Sequence, residues 1–160
     1  MAQFESQWTN LFRIKANNLR RIRGDSWRLE TDESIVPDRL NAGWMQCIKN
    51  TSARFNCTCW RAWPSNVVTV VFHMHLENGK GVVKVRPLNQ GCNNCKTMVK
   101  PSIDDDNIDI LLDNLVEKIR IQCYDKPQRR GSKSFIPLDI RSQHEPSLCQ
   151  ACQLGICGRS

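Results

Sequence analysis

Between residues 66 and 88 the chain reads NVVTVVFHMHLENGKGVVKVRPL, two β-branched runs on either side of Asn78-Gly79. β-Branched residues favour strands, and Asn-Gly favours the two-residue type I′ turn, whose central residues both need positive φ. That turn fixes a register in which Glu77 faces Lys80, His75 faces Val82, Met74 faces Val83, His73 faces Lys84 and Phe72 faces Val85. Alternation then gives one core face (Val70, Phe72, Met74, Val83, Val85) and one mixed, partly basic face (Thr69, His73, His75, Val82, Lys84, Arg86). Helical spacing occurs in two places. Phe4, Trp8, Leu11, Phe12 and Leu19 share a stripe over 3–19, and Ile108, Leu111, Leu112, Leu115, Val116, Ile119 and Cys123 share one over 108–123. Asp104, Asp105 and Asp106 precede the second helix, where the positive end of the dipole favours them, and are read as caps rather than metal ligands. The weaker patterns predict a strand over 26–30, a helix over 38–49 after Pro37, a basic loop over 125–134 and a strand over 135–140. The fold class is α+β: one domain over 1–160, with a central antiparallel sheet around the hairpin and flanking helices.

Composition narrows the setting. A length of 160 residues suits one domain. No run approaches the ~18 apolar residues of a membrane helix. The start, MAQFESQWTN, lacks the basic and apolar regions of a signal peptide. A cytoplasmic setting is therefore expected, in which the nine cysteines stay reduced and open to metal. The net charge of +7 draws the protein toward phosphates. The candidate nucleic-acid contacts are Arg20, Arg21 and Arg23 in one basic segment, Lys84 and Arg86 on the hairpin, and Arg129 and Arg130 in the basic loop.

The stretch FNCTCWRAW at 55–63 poses the chemical question: Cys57 and Cys59 belong to a disulfide framework, a metal site or a core. The hairpin answers it. Its strands leave from residue 65 and return to residue 88, so the segments carrying Cys57, Cys59, Cys92 and Cys95 emerge at one end. Four thiolates in two close pairs suit a closed, tetrahedral structural zinc site. Cys149, Cys152 and Cys157 supply three more ligands. A fourth would come from His73, His75, Cys123 or His144, with His73 carried forward as the candidate. Alternatively Cys157 stands apart and Cys149 and Cys152 complete a site with an earlier pair. One or two zinc ions are expected, fastening a knuckle core over 44–158, and a chelator is expected to unfold it. Cys47 reads as a buried free thiol, Cys123 as a core thiol, and Trp60 and Trp63 as cover for the site and filling beside it.

Together these residues resemble the receptor-transporting protein family of 3CxxC-type zinc fingers. The resemblance runs through Ala42-Gly-Trp44, residues 54–63, the strand 70–76, Cys92-Asn-Asn-Cys95, Asp113-Asn-Leu-Val116, Gln122-Cys-Tyr124 and residues 149–158. It departs at Cys57-Thr-Cys59, where the family has two residues between the cysteines. The family also commonly carries a C-terminal membrane anchor, and by the resemblance this chain is expected to be the cytosolic zinc domain without it, either truncated or naturally short. The resemblance implies an accessory protein that helps G-protein-coupled receptors reach the cell surface, at the cytosolic face of the endoplasmic reticulum or plasma membrane. An interferon-induced member with a similar ending implies an alternative, an antiviral effector that binds viral RNA. An enzyme is not expected, because closed four-ligand sites leave zinc no open position and no deaminase-type His/Glu/Cys spacing is present.

Overall fold

A computed structural model describes residues 2–126, 133–140 and 144–157. Arg129, Arg130, most of the basic loop 125–134, Gly158 and the side chain of Phe4 lie outside the described residues. In chain order the elements are α1 (Ala2–Arg23), β1 (Ser26–Thr31), β2 (Met45–Asn56), β3 (Ala62–Glu77), β4 (Lys80–Pro87), β5 (Gln90–Gly91), β6 (Met98–Val99), α2 (Asp105–Ile119) and α3 (Gln150–Gln153). Four strands form one sheet in the order β1-β4-β3-β2, and β5 and β6 form a separate two-stranded piece.

The hairpin has the register that its turn dictates, from Glu77 opposite Lys80 to Phe72 opposite Val85. Asn78 and Gly79 have φ of 52° and 77°, the left-handed pair a type I′ turn requires. The sheet is mixed rather than antiparallel throughout, because β1 runs parallel to β4. Val70, Phe72, Met74, Val83 and Val85 are fully buried on the face that meets α1 and α2. Trp8, Phe12 and Leu19 of α1 and Ile108, Leu111, Leu112 and Leu115 of α2 close this core. Burial of such side chains is the main stabilising contribution, at roughly 1.5–3 kcal/mol each. A smaller cluster on the opposite face joins Ile35, Val71 and Leu88 to Cys149 and Ala151.

Two expected elements are absent. No helix forms over 38–49: Gly43 has φ +86°, and β2 starts at Met45 to pair with the long β3. Pairing along β3 overrides the local helical spacing there. A Cβ at Gly43 would come within 3.2 Å of His75 Nε2, and Trp44 stacks on His75 with centroids 5.0 Å apart. Cys47 is buried as expected, but on β2. The strand expected over 135–140 has no ladder partner among the described residues.

Before α2, Asp104 stands at the N-cap. Its carbonyl accepts the N–H groups of Asn107 and Ile108, and its side chain makes no capping bond. The helix then widens into a π turn over Arg120–Tyr124 that carries Cys123 against the main core. Tyr124 donates to Asp25 at 2.7 Å and accepts from Trp27 Nε1 at 2.9 Å, which ties this turn to the start of β1.

Candidate metal centres

The first centre is built where β2 and β3 meet, at the end away from the Asn78-Gly79 turn. The chain reverses over Cys57–Arg61, with the Cys57 N–H donating to Arg61 O at 2.8 Å and the Trp60 N–H to Cys57 O at 3.0 Å. Behind it Phe55 and Trp63 stack with centroids 5.2 Å apart and planes 6° from parallel. Trp63 thus fills the core beside the site. Trp60 does not cover it: the residue is 96% exposed, on a backbone with φ 74°. The knuckle turn itself forces this, because a left-handed residue at its tip turns the side chain outward.

A second reversal, from β5 to β6, brings the partner pair. The Cys92 N–H donates to Thr97 O and the Lys96 N–H to Cys92 O, both at 2.8 Å. The sulfurs of Cys57 and Cys95 then lie 3.4 Å apart and those of Cys59 and Cys92 3.5 Å apart. All four lie within 4.8 Å of one another. A zinc–sulfur bond of about 2.3 Å implies tetrahedron edges of about 3.8 Å, so the set fits one zinc ion.

Electrostatics suit the same role. Backbone N–H groups of Cys95 and Asn94 pull the Cys92 thiol down to about 6 against its burial. Cys57 is lowered by the Cys59 N–H, but burial and the neighbouring thiols outweigh that and push it up to about 11. Crowded thiols of this kind share a few protons among them, and a divalent cation replaces those protons with one doubly charged centre.

The second centre grows from α3. Cys149 caps this short helix, its sulfur accepting the Cys152 N–H at 3.4 Å. Gly155, at φ +75°, reverses the chain and returns Cys157 to within 3.9 Å of Cys149, sulfur to sulfur. The fourth ligand atom is His144 Nε2, 3.4 Å from Cys152 Sγ and 3.5 Å from Cys157 Sγ. His144, Cys149, Cys152 and Cys157 again lie within 4.8 Å of one another. His73 is not brought to either centre. It is buried between strands with its Nε2 3.0 Å from Gln46 Oε1, because the polar face of β3 is covered and its imidazole needs a partner there. Nor does Cys149/Cys152 complete the first centre. A bridge between Gln90 and Cys149, and the Asn89 N–H donating to Gln150 Oε1 at 2.9 Å, join the two centres through β5.

In both centres every position of a tetrahedron is supplied by a side chain, so a bound ion would have no open site for water or substrate. It would supply cross-linking, fastening segments that lie far apart in sequence.

Residues 50–155 match the sequence model of the 3CxxC zinc-binding domain. The chain belongs to the 3CxxC zinc-binding family. Its relatives within that family are receptor-transporting proteins. Receptor-transporting protein 2 of Mus musculus is 38% identical over 82% of this chain and 62% of its own length. Receptor-transporting protein 3 of Mus musculus is 34% identical over 96% of the chain and 34% of its own length. Receptor-transporting protein 1 of Homo sapiens is 34% identical over 94% of the chain and 59% of its own length. The chain therefore spans between one third and about three fifths of these relatives. No solved structure matches it significantly. Zinc is accordingly the metal of this 3CxxC domain, and its two ligand sets fit one ion each. The shortened first pair, Cys57-Thr-Cys59, still places both sulfurs in one cluster.

Among the described residues, the basic side chains singled out in the sequence do not form one track. Arg20 and Arg21 are exposed at the end of α1. Arg23 is held by Asp25 at 3.1 Å and lies over the Tyr124 ring. Lys84 pairs with Asp32 at 3.2 Å and Arg86 donates to Ile35 O at 2.7 Å, on the sheet face opposite α1. Among the described residues no helix is long and apolar enough to cross a membrane.

Proposed function

We propose that this domain is a non-catalytic binding module that promotes delivery of G-protein-coupled receptors to the cell surface through protein–protein contact. The observation that carries it is the kinship with receptor-transporting proteins across most of the chain, in which both ligand sets are intact. Closed metal sites suit a scaffold that presents a surface, and they supply nothing for bond-breaking. Cys57, Cys59, Cys92 and Cys95 hold one zinc ion, and Cys149, Cys152, Cys157 and His144 hold the other. The membrane-apposed setting and the choice of chemosensory receptors are parts of the same reading.

The test co-expresses this chain with an epitope-tagged chemosensory receptor and measures receptor at the surface of intact cells. Surface signal should rise with the native chain and stay at baseline with Cys92→Ser. Equal signal with both chains would refute the reading.

RNA binding is the alternative, and its support is narrower. Lys84 and Arg86 are engaged within the fold and Arg23, though exposed, is paired with Asp25, which leaves Arg20 and Arg21 as the other exposed cations among the described candidates. Titration of labelled RNA at two salt concentrations decides it. Micromolar binding that weakens steeply with salt would support it, and no binding at low salt would remove it.

A further inference from the structure

Residues 133–138 cross the molecule as an extended strap attached in an unusual way. Asn114 on α2 takes the N–H of Lys133 on Oδ1 and donates Nδ2–H to the carbonyl of Lys133, both at 2.9 Å. Asn107 on α2 does the same to Ile136, at 2.7 and 3.0 Å. Asn66 on β3 does the same to Leu138, at 2.8 Å for both bonds. Ser52 of β2 adds a hydroxyl to the carbonyl of Ile136 at 2.7 Å and accepts from Asn107 at 2.9 Å. Among the described residues, the seven hydrogen bonds from the body to the strap backbone all come from side chains.

A carboxamide offers one acceptor and one donor side by side. That is what a residue of a neighbouring strand offers in an antiparallel ladder. Three such groups in a row read the N–H and C=O of alternate or near-alternate residues and make no demand on side chains. Most of the strap's side chains face solvent: Ile136 is 51% exposed, and Lys133, Ser134, Pro137 and Asp139 are exposed too, while Phe135 and Leu138 are half-buried. The receiving groups, by contrast, are built into the body, with Asn107 2% and Ser52 1% exposed. Backbone contacts of this sort are how extended peptides are bound in trans, with affinity from the main chain. Beyond Ile140 the track opens into a cavity of about 250 Å³ between the two metal centres, lined by Arg61, Trp63, Gln90 and Glu145 among others. At its other end Asp113 receives the Lys133 ammonium at 2.6 Å.

We propose that the row Asn114, Asn107 and Asn66 is a receptor for extended peptide, occupied here by the chain's own residues 133–138 as a self-ligand. An extended segment of a partner protein takes the same place by displacing the strap. The partner segment carries a basic residue to meet Asp113 and free N–H groups three and five residues further on. Proline is excluded at those two positions and tolerated between them, as Pro137 is. The proposal rests on the reading of this domain as a protein-binding module, and it names the form in which the partner is held.

The experiment uses the zinc-loaded full chain and a fluorescein-labelled peptide of sequence Lys-Ser-Phe-Ile-Pro-Leu-Asp-Ile. Ile136→Pro removes the N–H that Asn107 accepts and so weakens the self-ligand. By fluorescence anisotropy this variant should bind the peptide at least tenfold more tightly than the native chain, whose tethered strap competes at an effective concentration on the order of millimolar. Adding Asn66→Leu or Asn114→Leu should cost at least tenfold, with zinc content and circular dichroism unchanged. A peptide N-methylated at its fourth and sixth residues, the Ile and Leu that correspond to Ile136 and Leu138, should not bind. The proposal is overturned if the folded Ile136→Pro variant ignores the peptide, if the methylated peptide binds equally, or if the variant instead dimerises by exchanging straps. The two readings separate cleanly. Capture of receptor without peptide binding sinks the groove and spares the escort function, whereas peptide binding without any effect on receptor delivery does the reverse.

Discussion

Gly81 lies under the indole of Trp27, and a Cβ there would fall 2.1 Å from the ring. The ring cannot yield cheaply, because its Nε1 is held by Tyr124. Gly81→Ala should therefore cost at least about 1–3 kcal/mol, the range of overpacking in a close-packed core, read as a lower urea midpoint. His73 makes a different prediction. Burial, with help from Lys84, lowers its affinity for a proton against the opposing pull of Asp32 and Asp38. The folded state thus binds fewer protons than the unfolded chain just below the ordinary histidine value of 6.5. This contribution to stability is complete above that value and is lost as pH falls through it toward the lower folded value. His73→Gln should flatten the part of the stability–pH curve just below pH 6.5, measured by denaturation at each pH.

At the scale of elements, the two centres make separable claims. His144→Ala should reduce bound zinc from two ions to one per chain by elemental analysis, while His73→Ala leaves two. Equal loss in both would contradict the assignment of the fourth ligand. The hairpin, the two core helices and the grouping of Cys57, Cys59, Cys92 and Cys95 were legible because each rests on local patterning: a turn that demands Asn-Gly, 3.6-residue spacing, close cysteine pairs. The choice among His73, His75, Cys123 and His144 was not legible, since it depends on how the chain returns after α3. Residues 38–49 carried helical spacing, yet the long β3 needed an edge partner and Gly43 allowed the turn that supplied one. Asn66, Asn107 and Asn114 gave no signal at all. An asparagine that pairs with backbone looks, in sequence, like any polar surface residue.

For the whole molecule, the arrangement of cores alters what a chelator should do. The larger core joins α1, α2 and the sheet and contains none of the eight candidate ligands, whereas the smaller one includes Cys149. Stripping the metal should therefore release the edges first. Amides at 90–99 and 146–156 should exchange hydrogen within minutes in chelator, while those at 70–74 and 111–116 stay protected; uniform exchange would show that the whole fold depends on metal. This refines the expectation that chelation unfolds the domain outright.

The parallel pairing of β1 with β4 also bears on how the protein is made. On the ribosome the arm formed by α1 and β1 emerges first, and the strand it must lie beside is translated only after β2 and β3. Until then the apolar residues of α1 and β1 have only each other for cover, without the rest of the sheet. A pause placed before residue 80 would lengthen the interval in which that arm waits for its strand partner.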